Sequence, residues 1–223
     1  MKILHFEKIK STQDYLKKLK NPKEDVAVIA GEQTVGKGTK GRSFSSEKGG
    51  VYLSLLKLFP CKAKDSFSIM QSSAVAVCKT LASFGIKAQI KWPNDIFVGE
   101  KKICGILIEN MLSGEYVSSS VIGIGLNVNN SLPPFLSDTA ISAKEVLGEE
   151  LPIDSVIATL LYNLYQPTTE YEYKSLSMVL GREITVLRGD GTSLKAVAKD
   201  VLPNGNLLLF SGEELSAAEI SIK

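Results

Sequence analysis

The alternation of apolar and polar positions predicts several successive strands with few helices between them. The predicted strands cover residues 2–9, 26–30, 51–58, 86–92 and 116–128, with a hairpin over 96–109. Apolar residues recur every three or four positions in three segments, which indicates helices that begin at Ser11, at Phe67 and at Asp154 as an N-cap. This order of elements favours an α+β fold with a mixed sheet over a regular βαβ array.

The pattern changes in the last quarter of the chain, where only short β-type runs remain. Hairpin-turn residues separate these runs at Gly189-Asp190-Gly191, Asn204-Gly205 and Ser211-Gly212, and the last run covers 217–222. Short strands joined by tight turns predict a small β-barrel. We therefore expect two domains, over residues 1–172 and 173–223.

The composition is that of an ordinary folded protein. A chain of 223 residues can form one large domain and one small one. Hydrophobic content of 44% and charged content of 22% argue against disorder of the whole chain. The net charge of +2 lacks the strong basic excess of a duplex-binding domain, so any positive field must be local and no DNA partner is expected.

The N-terminal residues contain no apolar segment of signal-peptide length, and no run approaches the roughly 20 apolar residues of a membrane span. We expect a cytoplasmic protein without a membrane partner. Cys61, Cys78 and Cys104 are odd in number and fit neither a disulfide framework nor a zinc site, so they are expected to be reduced and mostly buried. His5 is the only histidine, which argues against histidine-based catalysis.

Residues 31–56 combine closely spaced glycines with Lys37, Lys40, Arg42 and Lys48 between two apolar runs. Glycine lets consecutive N–H groups converge on an anion, while Lys and Arg neutralise its charge. The segment therefore has the features of an anion-binding loop. The alternative is an exposed, solvated basic loop, and this segment alone does not decide between them.

Three later segments add candidate chemistry, and each also has an ordinary structural explanation. KWPND at 91–95 places a cation, an aromatic ring and a carboxylate at a strand end, or forms a turn anchored by Trp92. KKICGILIE at 101–109 is a strand with a cationic start and a glycine at its centre, or a bulged strand with solvated lysines. GIGLNVN at 123–129 removes side chains from a strand, either for a ligand or for close packing.

Taken together, these segments resemble the biotin protein ligases, also called biotin–acetyl-CoA-carboxylase ligases. The resemblance rests on Ser11-Thr12-Gln13, on Gln33 followed by GKGTKGRSFSS, and on GGVYLSL, KWPND, KICGILIE and GIGLNVN. These motifs cover most of residues 1–148 in the order and spacing of the family. The chain shows no N-terminal helix-turn-helix, so it is similar to the short, monofunctional class that does not bind DNA.

The resemblance implies a catalytic domain of the biotin/lipoate ligase type followed by an SH3-like β-barrel. It implies an ATP-dependent ligase that forms biotinyl-5′-AMP with Mg²⁺ present and transfers biotin to a lysine of a biotin carboxyl carrier domain. Its partners would be biotin, ATP and that carrier. The family contains monomers and dimers, and a homodimer is the favoured expectation. The role of the C-terminal domain is left open.

The resemblance also implies roles for individual residues. The expected catalytic residues are Lys102, between the biotin carboxylate and the α-phosphate, and Arg42. We add the hypothesis, beyond the resemblance, that Asp95 is a catalytic residue that helps deprotonate the incoming lysine. The expected biotin-binding residues are Ser11, Thr12, Gln13, Gln33, Lys37, Gly38, Thr39, Lys102, Gly105, Ile106, Gly123 and Gly125. The expected ATP-binding residues are Lys37, Gly38, Thr39, Lys40, Arg42, Trp92, Asn94, Asp95, Lys102 and Asn127. No dedicated metal site in the protein is expected: Mg²⁺ would arrive with ATP, and Asp95 is the candidate protein contact.

The sequence departs from the family in the basic loop. Lys37 and Thr39 stand where arginine is common, and Phe44 stands where tryptophan is frequent. Lysine loses the bidentate fork of arginine and threonine loses the charge as well, so we expect weaker retention of the adenylate. Two other functions are kept as alternatives: a lipoate or octanoate ligase, and a non-catalytic module that binds a phosphorylated ligand or nucleic acid.

Overall fold

The main sheet contains eight strands in a mixed arrangement. The computed structural model describes residues 1–58, 60–189, 191–217 and 220–222. The strands are β1 (Lys2–Ile9), β2 (Val26–Gln33), β3 (Val51–Lys57), β4 (Cys61–Lys62), β5 (Gln89–Lys91), β6 (Asp95–Val98), β7 (Lys101–Ser113) and β8 (Tyr116–Leu126). Their order is β1-β2-β3-β8-β7-β6-β5, with β4 beside β8. Strands β1 and β2 are parallel and the other pairs are antiparallel, which confirms the predicted mixed sheet.

Helices cover both faces of this sheet. They are α1 (Thr12–Lys17), α2 (Phe67–Ser83), α3 (Ala143–Leu147), α4 (Ile153–Leu164) and α5 (Glu170–Ser175). Helices α2 and α4 bury the larger core, to which Leu53 and Leu55 of β3 belong. Helix α1 inserts Leu16 into a smaller core on the opposite face, where it meets Leu56. Because side chains alternate along a strand, the serine between Leu53 and Leu55 faces α1, where the candidate site lies.

The C-terminal segment forms a second, smaller sheet. Its strands are β9 (Glu183–Arg188), β10 (Ser193–Val201), β11 (Leu207–Leu209), β12 (Glu214–Leu215) and β13 (Ile220–Ile222), in the order β12-β11-β10-β9-β13. All its pairs are antiparallel, consistent with the predicted SH3-like domain. Asp190 of one predicted turn and residues 218 and 219 of the last predicted strand lie outside the described residues.

The two sheets meet at the turn between β10 and β11. The Trp92 indole Nε1 donates a hydrogen bond to the Gly205 carbonyl oxygen at 2.9 Å, and Gly205 also lies against the ring of Phe67. The division into domains 1–172 and 173–223 stays a prediction. Its boundary would fall inside α5, whose Tyr173 is buried in the larger core.

Three details of the predicted elements were wrong. The strand predicted over 86–92 is limited to β5, three residues long. Helix α4 begins after Pro152, so Asp154 does not cap it. Asp154 lies in the first turn, where its negative charge interacts favourably with the helix dipole. Helices α3 and α5 were not predicted.

The cysteines agree with the sequence analysis. All three are free, Cys78 and Cys104 are buried, and Cys61 is partly buried. Burial raises the pKa of the Cys78 thiol to about 12 and also raises that of Cys104, so both remain protonated at neutral pH. Within the described ranges, no helix is both long and apolar enough to span a bilayer.

Candidate active site

A cleft with about 480 Å³ of empty space, part of it open to solvent, lies between α1, the loop after β2 and the sheet, and we call it the glycine cavity. It is lined by Ser11, Thr12, Gln13, Gln33, Lys37, Gly38, Thr39, Phe44, Leu53, Ser54, Asn94, Lys102, Gly105, Ile106, Leu107, Gly123, Ile124 and Gly125. This set contains each residue that the sequence analysis assigned to biotin. The structure therefore brings these twelve residues together, and their individual roles stay predictions.

Three glycines shape the wall of this cavity. Gly105 of β7 lies directly opposite Gly125 of β8 in the antiparallel register. A Cβ atom on Gly125 would lie 2.5 Å from the ring of Phe44, and one on Gly123 would lie 2.6 Å from Gln13 Oε1. The missing side chains therefore leave room for Phe44 and Gln13 against the sheet.

Hydrogen bonds fix the start of α1 to β2 and to the basic loop. The Ser11 side chain accepts from the Asp14 N–H as the N-cap of the helix. The Thr12 N–H donates to Gln33 Oε1 at 2.8 Å, and Gln33 Nε2 donates to Ser46 Oγ at 3.0 Å. Because these residues are buried or half-buried, the polar wall of the cavity is held rigidly.

Glu109, near the middle of β7, supports Gln13 from outside the cavity. Gln13 Nε2 donates to Glu109 Oε2 at 2.9 Å, and Lys17 Nζ pairs with Glu109 Oε1 at 2.6 Å. Partial burial would raise the pKa of Glu109, but the hydrogen bonds from Lys17 and Gln13 outweigh it and hold the pKa below its ordinary value. The hydrogen bond with Glu109 raises the pKa of Lys17. This pair is therefore ionised at neutral pH.

A β-bulge sets the direction of Lys102. Strands β6 and β7 pair Ile96 with Cys104 but Phe97 with Lys102, so Ile103 is an extra residue. In a regular strand Lys102 and Gly105 would face opposite sides, because they are an odd number of positions apart. The bulge turns Lys102 to the cavity side, where its Nζ lies 2.7 Å from Asp95 Oδ1. Both side chains remain about 31% exposed.

A second cleft, with about 1130 Å³ of empty space that includes open solvent, adjoins the first, and we call it the tryptophan cavity. It is lined by Thr39, Lys40, Arg42, Met70, Lys91, Trp92, Pro93, Asn94, Asp95, Leu107, Ile108, Ala217 and Ile222. Thr39, Asn94 and Leu107 line both cavities. Ala217 and Ile222 come from the C-terminal segment, so both sheets contribute to the tryptophan cavity.

The turn that carries Asn94 and Asp95 is held at three points. Trp92 is nearly buried and bonded to Gly205, as described above. The Tyr173 hydroxyl donates to the Pro93 carbonyl oxygen at 3.0 Å, and Asn94 Nδ2 donates to the Ile106 carbonyl oxygen at 2.9 Å. These bonds place the polar groups of the turn between the two cavities.

The predicted ATP-binding residues do not all line the same cavity, and Thr39 and Asn94 line both. Thr39, Lys40, Arg42, Trp92, Asn94 and Asp95 line the tryptophan cavity, while Lys37, Gly38 and Lys102 line the glycine cavity. Asn127 lines neither. Its side chain is buried and donates to the Ile141 carbonyl oxygen, and it accepts from Asn130. The structure therefore gives Asn127 a role in holding the loop after β8.

The basic loop lies across the opening of the glycine cavity. Lys37 forms an ion pair with Asp14 of α1 at 2.8 Å, and the Gly38 N–H donates to the Arg42 carbonyl oxygen at 2.7 Å. Lys40 has a left-handed backbone with φ of 56°. Arg42 is exposed at the edge of the tryptophan cavity. The loop is thus folded against α1.

The sequence analysis missed several residues that line or support the glycine cavity. Ser54 Oγ donates to Gln13 Oε1 at 3.1 Å, and Ser46 links Gln33 to the Phe44 carbonyl oxygen. A serine between leucines in a strand buried on both faces was the available signal for Ser54. The sequence contains no comparable signal for Glu109, because its partners lie 92 and 96 residues away.

The biotin/lipoate A/B protein ligase family matches residues 5–127, more than half of the chain. The chain belongs to this family. The match covers the whole of the glycine cavity and the KWPND turn, and the motifs that suggested the resemblance lie inside the family region except for the last two residues of GIGLNVN.

Among relatives in this family, the bifunctional ligase/repressor BirA of Bacillus subtilis is 31% identical over 201 residues, which cover 87% of this chain and 62% of that protein. The chain thus spans less than two thirds of the length of that relative. The biotin–[acetyl-CoA-carboxylase] ligase of Mycobacterium tuberculosis is 27% identical, over 85% of this chain and 74% of the relative. These matches confirm the resemblance to biotin protein ligases.

A solved structure shares the arrangement of both sheets. The biotin protein ligase from Aquifex aeolicus in complex with biotin and ATP has a TM-score of 0.80 and 26% identity, and covers 100% of this chain and 98% of its own. The predicted fold, a ligase-type catalytic domain followed by a small β domain, is therefore confirmed.

Proposed function

We propose that this protein activates biotin with ATP as biotinyl-5′-AMP and transfers the biotinyl group to a lysine of a biotin carboxyl carrier domain. The junction of the two cavities is the observation that carries this proposal. The cavities share Thr39, Asn94 and Leu107, and the ion pair of Lys102 with Asp95 connects them. An enzyme that joins an acid to a nucleotide needs both substrates to meet at a cation, because two anions must be brought together.

The glycine cavity suits a small acid that carries a polar ring. Gln13 Oε1 lies beside Ser54 and Gly123 as a hydrogen-bond acceptor. The ureido ring of biotin has N–H donors for this atom, whereas the dithiolane of lipoate and the alkyl chain of octanoate have none. Gln13 lies beside Gly123 at one end of the cavity, and Lys102 lies beside Gly105, the partner of Gly125, at the other end. Gly123 and Gly125 are about 7 Å apart along the strand, so one small acid can contact both Gln13 and Lys102. This favours biotin over lipoate.

The tryptophan cavity suits a nucleotide triphosphate. It offers the Trp92 ring with the positive charges of Lys40, Lys91 and Arg42. Mg²⁺ usually binds one or two carboxylates together with substrate phosphates, and Asp95 fits that donor set. When bound, the ion would offset phosphate charge.

The chemistry that we propose needs no protein nucleophile. A biotin carboxylate oxygen attacks the α-phosphorus of ATP, a P–O bond to the leaving pyrophosphate breaks, and the Lys102 ammonium offsets the charge gathered between the two anions. In the second step a carrier lysine attacks the acyl carbon, AMP leaves, and Asp95 accepts the proton of the attacking amine.

The relatives supply the substrates of this proposal. The Aquifex aeolicus ligase was solved with biotin and ATP, and the Mycobacterium tuberculosis relative is named for acetyl-CoA carboxylase. A biotin carboxyl carrier domain as the partner, a homodimer, the cytoplasmic location and the absence of DNA binding stay predictions.

The decisive experiment is ATP–pyrophosphate exchange driven by biotin, run beside lipoate and octanoate, in wild type and in Lys102→Ala. We expect exchange with biotin alone and its loss in Lys102→Ala. Lys101→Ala is a matched control, because the neighbouring ammonium bonds to the Ser137 carbonyl oxygen at the surface. It should keep the wild-type rate.

Exchange with lipoate or octanoate would assign the alternative ligase. Salt-sensitive binding of ATP or nucleic acid without exchange would assign a binding module, since electrostatic binding weakens with salt.

A further inference from the structure

The amide group of Gln13 has both of its hydrogens committed outside the glycine cavity. Nε2 donates to Glu109 Oε2 at 2.9 Å and to the Val121 carbonyl oxygen at 3.1 Å. An amide nitrogen carries two hydrogens, so this nitrogen has none left for a ligand. Glu109 and Val121 are both outside the cavity lining.

The amide oxygen of Gln13 is the atom at the cavity wall. It accepts from Ser54 Oγ at 3.1 Å and lies 2.6 Å from the position of a Cβ on Gly123. Ser54 and Gly123 both line the cavity. An amide oxygen has two lone pairs, so Gln13 can still accept one hydrogen bond from a ligand but cannot donate one.

Glu109 favours one of the two possible orientations of the Gln13 amide, the one with Oε1 toward the cavity. Its carboxylate is ionised beside Lys17 at 2.6 Å and can only accept hydrogen bonds. A reversed Gln13 amide would point its oxygen at the Glu109 carboxylate and the Val121 carbonyl oxygen. That arrangement loses two hydrogen bonds and places acceptors against acceptors.

We propose that Glu109 is a positioning residue for ligand specificity: it locks the Gln13 amide with Oε1 toward the cavity, so that the site selects a ring that presents an N–H group. The inference rests on the proposed function, in which that group is a ureido N–H of biotin. Glu109 itself does not touch the ligand.

The test measures the affinity of biotin and of its two cyclic carbamate analogues, in each of which an oxygen replaces one ureido N–H. Glu109→Met keeps the length of the side chain and removes the acceptor. We expect biotin affinity to fall about tenfold, the scale of one hydrogen bond to a charged group. One of the two carbamates should bind to wild type more weakly than the other. In Glu109→Met, the ratio of the affinity for biotin to the affinity for that carbamate should fall by a similar factor, because the freed Gln13 amide can reverse.

Two control variants separate orientation from charge and packing. Glu109→Gln keeps an oxygen acceptor for Gln13 and should restore biotin affinity and selectivity. Lys17→Met removes the ion pair but leaves the Gln13–Glu109 hydrogen bond, and should bind like wild type. If Glu109→Met does not fold, Glu109→Ala removes the same acceptor and carries the same test.

Unchanged selectivity in a folded Glu109→Met, or equal loss of affinity for biotin and both analogues, would overturn the inference, since general loosening weakens all three ligands alike. Failure of wild type to bind biotin would overturn the proposed function and this inference with it. If wild type binds biotin but Glu109→Met binds the three ligands as wild type does, the inference alone is overturned.

Discussion

One extra residue decides which face of the sheet Lys102 occupies. The lysine could be assigned from its motif, but strict alternation from Gly105 would place it in the apolar core. Only the bulge at Ile103 brings it to Asp95. Bulges depend on the pairing of two strands, so the sequence of one strand does not reveal them. Lys102 could therefore be proposed as a site residue from its motif, but the direction of its side chain could not be predicted.

Asp95→Asn tests the proposed base. The substitution removes the proton acceptor while keeping the shape of the side chain. We expect transfer to a carrier lysine to slow by about 100-fold, within the usual range for general-base catalysis, while adenylation slows much less. Single-turnover measurements of biotinyl-5′-AMP formation and of transfer from the preformed adenylate separate the two rates. Equal losses in both steps would contradict the assignment of Asp95.

At the scale of elements, the two missed helices had readable starts. Ser142 with Glu145, and Thr169 with Glu172, form capping boxes at α3 and α5. Each motif has the expected spacing of three residues. The helices are only five and six residues long, too short for apolar periodicity to appear, so the capping residues were the available local signal.

Helix α5 should weaken in acid through Glu172. The hydrogen bond from Lys79 of α2, followed by that from the Thr169 N–H, lowers the pKa of Glu172 to about 2. A carboxylate whose pKa is lowered by folding stabilises the native state above its ordinary pKa, and this contribution is lost as the pH falls from about 4.5 toward 2. Stability should therefore decline over that interval, and less steeply in high salt because the pair is exposed.

Urea unfolding of wild type and Glu172→Gln at pH 6 and pH 3 checks this expectation. The variant should be less stable at pH 6 and should lose less stability on acidification. Lys79→Met removes the hydrogen bond that contributes most to the lowered pKa of Glu172, and should likewise reduce the change in stability between the two pH values. A Glu172→Gln variant with the wild-type change between the two pH values would contradict it.

At the scale of the whole molecule, the C-terminal sheet is part of the candidate site. The Trp92–Gly205 hydrogen bond joins residues 113 positions apart, and Ala217 and Ile222 reach the tryptophan cavity. The sequence predicted the second sheet from its turns but could not predict where it docks. Docking depends on complementary surfaces, and each surface is assembled from several elements.

Gly205→Ala should weaken this junction more than a similar change elsewhere in the same sheet. Gly205 has φ of 88°, and an added Cβ would lie 2.5 Å from the ring of Phe67. Gly212 has φ of 90° with nothing within 4 Å of an added Cβ. Both substitutions incur backbone strain of about 1–2 kcal/mol. Only Gly205→Ala adds overpacking, typically about 1–3 kcal/mol more.

Urea unfolding of both variants measures the difference. Gly205→Ala should also reduce biotin-dependent pyrophosphate exchange, because its carbonyl oxygen holds Trp92. Equal destabilisation by the two substitutions would contradict this prediction, because it would mean that the Phe67 ring moves aside with no loss of stability.

The pairing of Gly105 with Gly125 links ligand supply to the survival of the protein. The glycine cavity, which the Phe44 ring borders where it packs against these glycines, exists only in the native register, since a slip of one residue would bring side chains to that face. A ligand that fits it therefore binds the folded chain and not the unfolded one. At a hundredfold excess over its Kd, such a ligand adds about 2.7 kcal/mol to the free energy of unfolding. A cell that runs short of this ligand would hold a protein that unfolds, and is degraded, more readily.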